Sequence, residues 1–271
     1  MELSQTLEWR GRSVAWDKFG NGPAVVMCHG TPWSSQLWWP FARAFAAEFS
    51  VYLWDMPGTG SRRRTLPTTS ISASRVNCSR PPAALTSRHP RLAHDYGGAV
   101  ALRAISCTAR GTPRWPDRRG GTAAVGIRLL PARRGHAASS PRNRPPCIVC
   151  SRGVHRGCVP PRPDPAQMAV LTTPWLSEEG QVAFYRQIAQ ADERYTDEIQ
   201  DRYASIEVPV AVVWGRDDAW IPVDRAEELA RLIPGATLEV IDGAGHLIQF
   251  DAPVELAVSL QRWLTARSHP R

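Results

Sequence analysis

Short apolar runs that end in turn residues, and that alternate with helix-patterned stretches, constrain this chain most. AVVMC (24–28) and VYLWD (51–55) have the length and continuous apolarity of strands buried on both faces. SSQLWWPFARAFAAEF (34–49), between them, reads as a helix ending before the second strand. The alternation resumes late in the chain. FYRQIAQADERYTDEI (184–199) is helical in period, PVAVVWG (209–215) is a buried strand and VDRAEELARLIP (223–234) is an amphipathic helix. TLEVID (237–242) is a further strand and PVELAVSLQRWLTA (253–266) a closing helix. Such alternation predicts an α/β fold, a mostly parallel sheet with helices on both faces.

The middle of the chain does not join this scheme. Residues 61–166 carry 20 arginines, no lysine and only three acids (Asp95, Asp117, Asp164), a charge of +17; the chain totals +8, so the remainder is −9. That distribution argues against a nucleic-acid-binding body and describes an acidic, enzyme-like frame around a basic insert. No Glu falls between Glu48 and Glu178, and no Phe between Phe49 and Phe184. Within the insert, 61–92 and 105–166 show no sustained period, while 93–104 stands out as a patterned island. A shifted codon reading of 76–80 gives helix-type residues, and one of 105–110 permits Leu-Val-His-Gly-Ala. The expectation is therefore that both stretches are frame-shifted, with the native frame kept at 93–104 and regained by about Trp175. Two sheet strands, one before and one after the island, would then be missing. A rival reading is a zinc site at Cys147, Cys150, His155 and Cys158, whose spacing approaches a zinc knuckle.

Four segments carry chemistry, each just past a predicted strand. MCHGTPWSS (27–35) supplies His29, Gly30, Thr31 and Pro32; AHDYGGAV (93–100) supplies Asp95 before Gly97 and Gly98. VVWGRDDAWIP (212–222) supplies an acid, and IDGAGHLIQFD (241–251) supplies His246 between glycines and apolar residues. Catalytic groups of open parallel sheets gather at these carboxyl ends. Taken alone, Asp95 reads as a helix N-cap and His246 as a structural histidine.

Nucleophile, acid and histidine in this chain order resemble the α/β-hydrolase superfamily over residues 1–60, 93–104 and about 175–268. His-Asp-aromatic-Gly-Gly together with HGxP is similar to the epoxide hydrolase and haloalkane dehalogenase branch. The resemblance implies Asp95 as nucleophile, His246 as base and Asp218 as the acid, since Gly215, Asp218 and Pro222 match the family spacing better than Asp217 does. It implies oxyanion donors in the backbone N–H groups of Thr31 and Tyr96. A carboxylate at the elbow attacks a saturated electrophilic carbon, giving an alkyl ester that His246-activated water then cleaves. Halide binding in that branch uses a Trp and an Asn where this chain has Tyr96 and Thr31, with Trp33 an alternative N–H donor. Epoxide opening uses cap tyrosines, for which Tyr185, Tyr195 and Tyr203 stand as candidates. Epoxide and haloalkane both remain open, with a slight preference for the epoxide. A catalytically impaired or non-enzymatic protein of the same fold is the alternative.

The expected organisation is residues 1–104 as the first part of the core, 105–205 as a disrupted cap or insert, poorly ordered over about 105–166, and 206–271 as the second part of the core. No metal or cofactor is expected. The expected partner is a small-molecule substrate, with neither nucleic acid nor membrane. The N-terminus lacks a basic region followed by an apolar core, and no run reaches the ~20 apolar residues of a membrane span, which sets a cytoplasmic expectation.

Overall fold

The computed structural model describes residues 3–9, 12–56, 59, 89–108, 122–125, 165–189 and 194–268. Strands β1 (Gln5–Trp9), β2 (Arg12–Phe19), β3 (Ala24–Cys28) and β4 (Ser50–Trp54) come first, with helix α1 (Trp39–Phe45) between the last two. Then follow β5 (Arg91–His94), α2 (Tyr96–Thr108), β6 (Thr122–Val125), α3 (Pro165–Thr172), α4 (Glu178–Ala189) and α5 (Arg194–Gln200). The chain closes with β7 (Val210–Gly215), α6 (Asp224–Leu232), β8 (Thr237–Ile241), a short α7 (Ile248–Asp251) and α8 (Pro253–Ser268). Among the described residues one sheet forms, in the order β1-β2-β4-β3-β5-β6-β7-β8. β2 pairs antiparallel with β1 and with β4, and every later pairing is parallel.

Period-2 geometry sends successive side chains to opposite faces, so a strand that is apolar throughout must be covered on both sides. Val25 and Met27 join Val51, Leu53 and Leu92 beneath Phe41 and Phe45 of α1 and Leu256, Leu260 and Leu264 of α8. On the opposite face Val26 and Cys28 meet Ala93 and Ala101 of α2, while Val212 and Trp214 pack with Leu102 and with Ala226 and Leu229 of α6. The helix read over 34–49 is divided. Ser35–Trp38 is a 3-10 turn, and Pro40 sits in the first turn of α1, where a missing N–H costs nothing.

Both central strands taken as missing are present, which corrects that expectation. Arg91–His94 forms β5, in register Val26↔Arg91, Met27↔Leu92 and Cys28↔Ala93. The strand after the elbow is Thr122–Val125, pairing with β5 and β7. Each is four residues long and held mainly by backbone pairing between neighbours, so neither needs a long apolar run. Arg91 is only 4% exposed, and its burial pushes the guanidinium below its ordinary value. Most of the residues assigned to frame-shifted segments, and Cys147, Cys150, His155 and Cys158, lie outside the described residues.

Candidate active site

The parallel strands β3, β5, β7 and β8 all release their chains at one edge of the sheet, and there the four chemistry-bearing segments meet. Asp95 is the turn between β5 and α2. Its φ of +49° lies in the left-handed region that L residues other than Gly, Asn and Asp rarely occupy. Strain of this kind, of order 1–3 kcal/mol, persists only where surrounding structure imposes it, and it lifts the side chain off the strand end. Asp95 carbonyl oxygen accepts the Ala99 N–H, so the helix starts immediately.

The loop after β3 approaches Asp95 because Gly30 has no side chain. A Cβ there would lie 2.7 Å from Asp95 Cβ and 2.9 Å from Asp95 Oδ2. Gly97 serves in the same way one turn on, where a Cβ would fall 2.5 Å from the Cys28 carbonyl oxygen. With the two segments in contact, the Thr31 N–H donates to Asp95 Oδ2 at 2.9 Å. His29 shapes this loop rather than reaching the reacting groups: its Nδ1 lies 2.8 Å from the Gly30 carbonyl oxygen, and its Nε2 accepts the Met56 N–H at 2.9 Å.

Asp218 and His246 form a buried pair. His246 Nδ1 lies 2.8 Å from Asp218 Oδ2, while Asp218 Oδ1 accepts the N–H groups of Trp220 and Ile221, each at 2.8 Å. Since the carboxylate can only accept, His246 carries its proton on Nδ1 and presents the Nε2 lone pair. Nε2 is buried and has no protein partner among the described residues. Burial disfavours the imidazolium, yet the charge and hydrogen bond of Asp218 and the charge of Asp95 outweigh it and raise the pKa above 6.5. Asp217, the other acid considered, is exposed. The loops are tied by Asp217 N–H to the Ala244 carbonyl and by Gly245 N–H to Asp251 Oδ2.

Trp33 is 2% exposed and packs with Leu37, with Leu171 of α3 and with Leu247, next to His246. Its indole Nε1 is buried without a partner among the described residues. Tyr96 opens α2 and is half-buried. Of the candidate cap donors, Tyr203, in the 3-10 turn Tyr203–Ser205, is fully buried near Asp197 of α5 and Arg103 of α2, and packs with Leu102 and Ile105 of α2. Tyr185 is half-buried and meets Phe184 edge to face, and the side chain of Tyr195 lies outside those described.

Two contributors were not read from sequence. Trp220 stacks on His246, centroids 4.8 Å apart at 29°. His94 places its ring 4.9 Å from that of His246 and its Nε2 2.9 Å from the His246 carbonyl oxygen. His94 was visible in AHDYGG, but a residue ending a strand gives no linear sign of a contact 152 positions away. No group of three His, Cys, Asp or Glu among the described residues is arranged to hold a metal, and no described helix is long and apolar enough to cross a membrane.

The sheet order, the elbow between β5 and α2, and the acid–histidine pair at the carboxyl edge define a hydrolase-type architecture. The chain belongs to the α/β hydrolase family, whose description matches residues 25–259. A crystal structure of an α/β hydrolase fold protein from Burkholderia ambifaria is 28% identical and superimposes with a TM-score of 0.79, covering 97% of this chain and 98% of its own. RutD of Rhizobium rhizogenes, provisionally named a carbamate hydrolase, is 27% identical over 265 residues, 91% of this chain and 94% of that protein. The monoacylglycerol lipase abhd6-A of Xenopus laevis is 29% identical, but over only 85 residues, 31% of this chain and 25% of the lipase. The family match runs from residue 25 to residue 259, a range that includes the basic insert, and nothing in these similarities supports frame-shifted segments.

Proposed function

We propose that this protein is a hydrolase with Asp95 as a carboxylate nucleophile, acting on an epoxide or a haloalkane through an alkyl ester. The observation that carries the reading is the elbow itself: an aspartate at φ +49°, with one carboxylate oxygen held by the Thr31 N–H. An aspartate attacking an acyl carbon would give a mixed anhydride, more reactive than the ester it came from. On a saturated carbon it gives an ordinary ester, which suits a two-step route.

With Oδ2 held by Thr31, Oδ1 attacks the carbon in line with its C–O or C–halogen bond. The electron pair of that bond leaves on the ring oxygen, which takes a proton from solvent, or on the halide, which departs as the anion. Trp33 Nε1–H, buried beside Leu247, is the hydrogen-bond donor we assign to the departing group and keeps its proton. Water then attacks the ester carbonyl while His246 Nε2 takes its proton, and the negative charge collects on the oxygen facing the backbone N–H groups of Thr31 and Tyr96. Asp218 stabilises the imidazolium. Collapse expels the alcohol oxygen, which takes the proton from His246, and the Asp95 acid that results gives the second proton of the water to solvent, restoring the carboxylate.

Turnover of an epoxide and of a haloalkane in water enriched in oxygen-18 tests this route. Heavy oxygen should enter the Asp95 carboxylate, because water attacks the enzyme-bound carbonyl. Label found only in product, with Asp95 unlabelled after many turnovers, would refute it.

A further inference from the structure

The catalytic pair leaves one buried titratable group at its centre without a role. His94 is fully buried, immediately precedes Asp95, and reaches across to the loop after β8. A carbonyl oxygen can only accept, so the 2.9 Å contact to His246 requires a proton on His94 Nε2. This bond is addressed to the main chain of the very residue that must work as base. The two ring centroids also lie 4.9 Å apart, so His94 packs against His246. Trp220 stacks on His246, and Asp218 holds its Nδ1. Of these three neighbours of the base, His94 is the one carried on the nucleophile's own strand.

We propose that His94 is a positioning residue for the second half of the reaction, tying the His246 backbone to the strand that carries Asp95. It is not a proton donor or acceptor in either step. The inference rests on the Asp95 reading for its kinetic form, although the His94–His246 contact itself does not. Among the described residues the titratable groups that face His94 are His246, Asp95 beside it, and His29 on the loop of Gly30, where a Gly30 Cβ would lie 2.8 Å from His94 Nδ1. In this company a second cation is disfavoured: burial, and then the charge of His246, hold the His94 pKa well below 6.5. His94 thus stays neutral when His246 becomes an imidazolium, and it can keep its Nε2 proton on the His246 carbonyl throughout.

The mechanism predicts different effects on the two steps. Formation of the ester needs Asp95, which His94→Ala leaves in place. Cleavage of the ester needs His246 Nε2 within proton-transfer reach of a water, and an error near 1 Å in such a group costs about a hundredfold. His94→Ala should therefore slow ester cleavage by roughly ten- to a hundredfold while changing ester formation by less than about threefold, so that alkyl-enzyme accumulates. His94→Gln places an amide N–H near the position of Nε2 and should recover most of the rate. His94→Glu, with an acceptor ionised at neutral pH in that position, should not.

Rapid-quench mass spectrometry of the wild type and these three variants reads both steps, and circular dichroism reports whether each variant folds. A readout free of any substrate accompanies it: the low-field proton resonance of His246 Nδ1 in its bond to Asp218. That resonance should broaden or vanish in His94→Ala and persist in His94→Gln. Equal loss in both steps without recovery by Gln would overturn the proposal, as would unchanged kinetics in His94→Ala with an unchanged resonance. If the resonance behaves as expected while even the wild type forms no alkyl-enzyme, the positioning role stands and the Asp95 chemistry fails.

Discussion

His246 faces Asp218 through Nδ1 at 2.8 Å and leaves Nε2 buried with no protein partner among the described residues. In the proposed route this one relationship decides which nitrogen is the base, because the ionised carboxylate cannot donate. It also gives the base its strength. The step needing neutral imidazole is fully active at high pH and is lost as pH falls through the His246 pKa. Asp218 raises that pKa in both states, whereas the Asp95 charge that also raises it is gone once Asp95 is esterified, so the acid limb of ester cleavage should lie below the His246 titration of the free enzyme. Asp218→Asn removes the charge that opposes desolvation, so the limb should move to lower pH while the maximal rate falls by about 10²–10⁴-fold. A pH–rate profile of single-turnover cleavage checks both.

Gly30→Ala should disable the site without touching a reacting atom. The new Cβ would sit 2.7 Å from Asp95 Cβ and 2.8 Å from His94 Nδ1, both on buried groups with nowhere to withdraw. The loop must retreat and take the Thr31 N–H away from Asp95. We expect ester formation to fall by about a hundredfold or more. Steady-state assays of purified, folded variant are sufficient to check this.

Trp33→Phe separates binding of the leaving group from packing. The indole N–H is buried and unpartnered among the described residues, so its removal should cost little stability and can raise the melting temperature. Ester formation should slow by roughly 5- to 150-fold, the equivalent of about 1–3 kcal/mol. Ester cleavage, in which the C–O or C–halogen bond is already broken, should be unaffected. Thermal melts and burst kinetics measure the two halves of this expectation.

Much of this site was legible in linear order, and the reasons are local. β3 and β7 are apolar without alternation because helices cover both faces, and the acid and histidine follow strand ends, where turn residues mark them. β5 was legible only at its end, where the elbow follows, and β6 was not. Arg91 and His94 are polar side chains buried by their neighbours, and in Thr122–Val125 backbone pairing to β5 and β7 stands in for a long apolar pattern. The antiparallel pair β1 and β2 was also passed over, although Gln5–Trp9 and Arg12–Phe19 add two strands beside β4. His94 and Trp220 could not be placed at His246 from sequence, because long-range contacts decide their roles. Tyr203 had the right residue type for a donor, but its burial beside Arg103 removes it from the site.

The central claim is that Asp95 bonds to carbon, and trapping that bond tests it most directly. His246→Gln removes the base but leaves the elbow intact, so ester cleavage should slow by about 10²–10⁴-fold and the intermediate should persist. Intact-mass and peptide-level mass spectrometry after incubation with an epoxide should show a gain equal to the whole epoxide on the peptide carrying Asp95. With a haloalkane the gain should equal the alkyl group less one hydrogen. Unmodified Asp95 in folded His246→Gln protein after exposure to panels of both reagents would contradict the account.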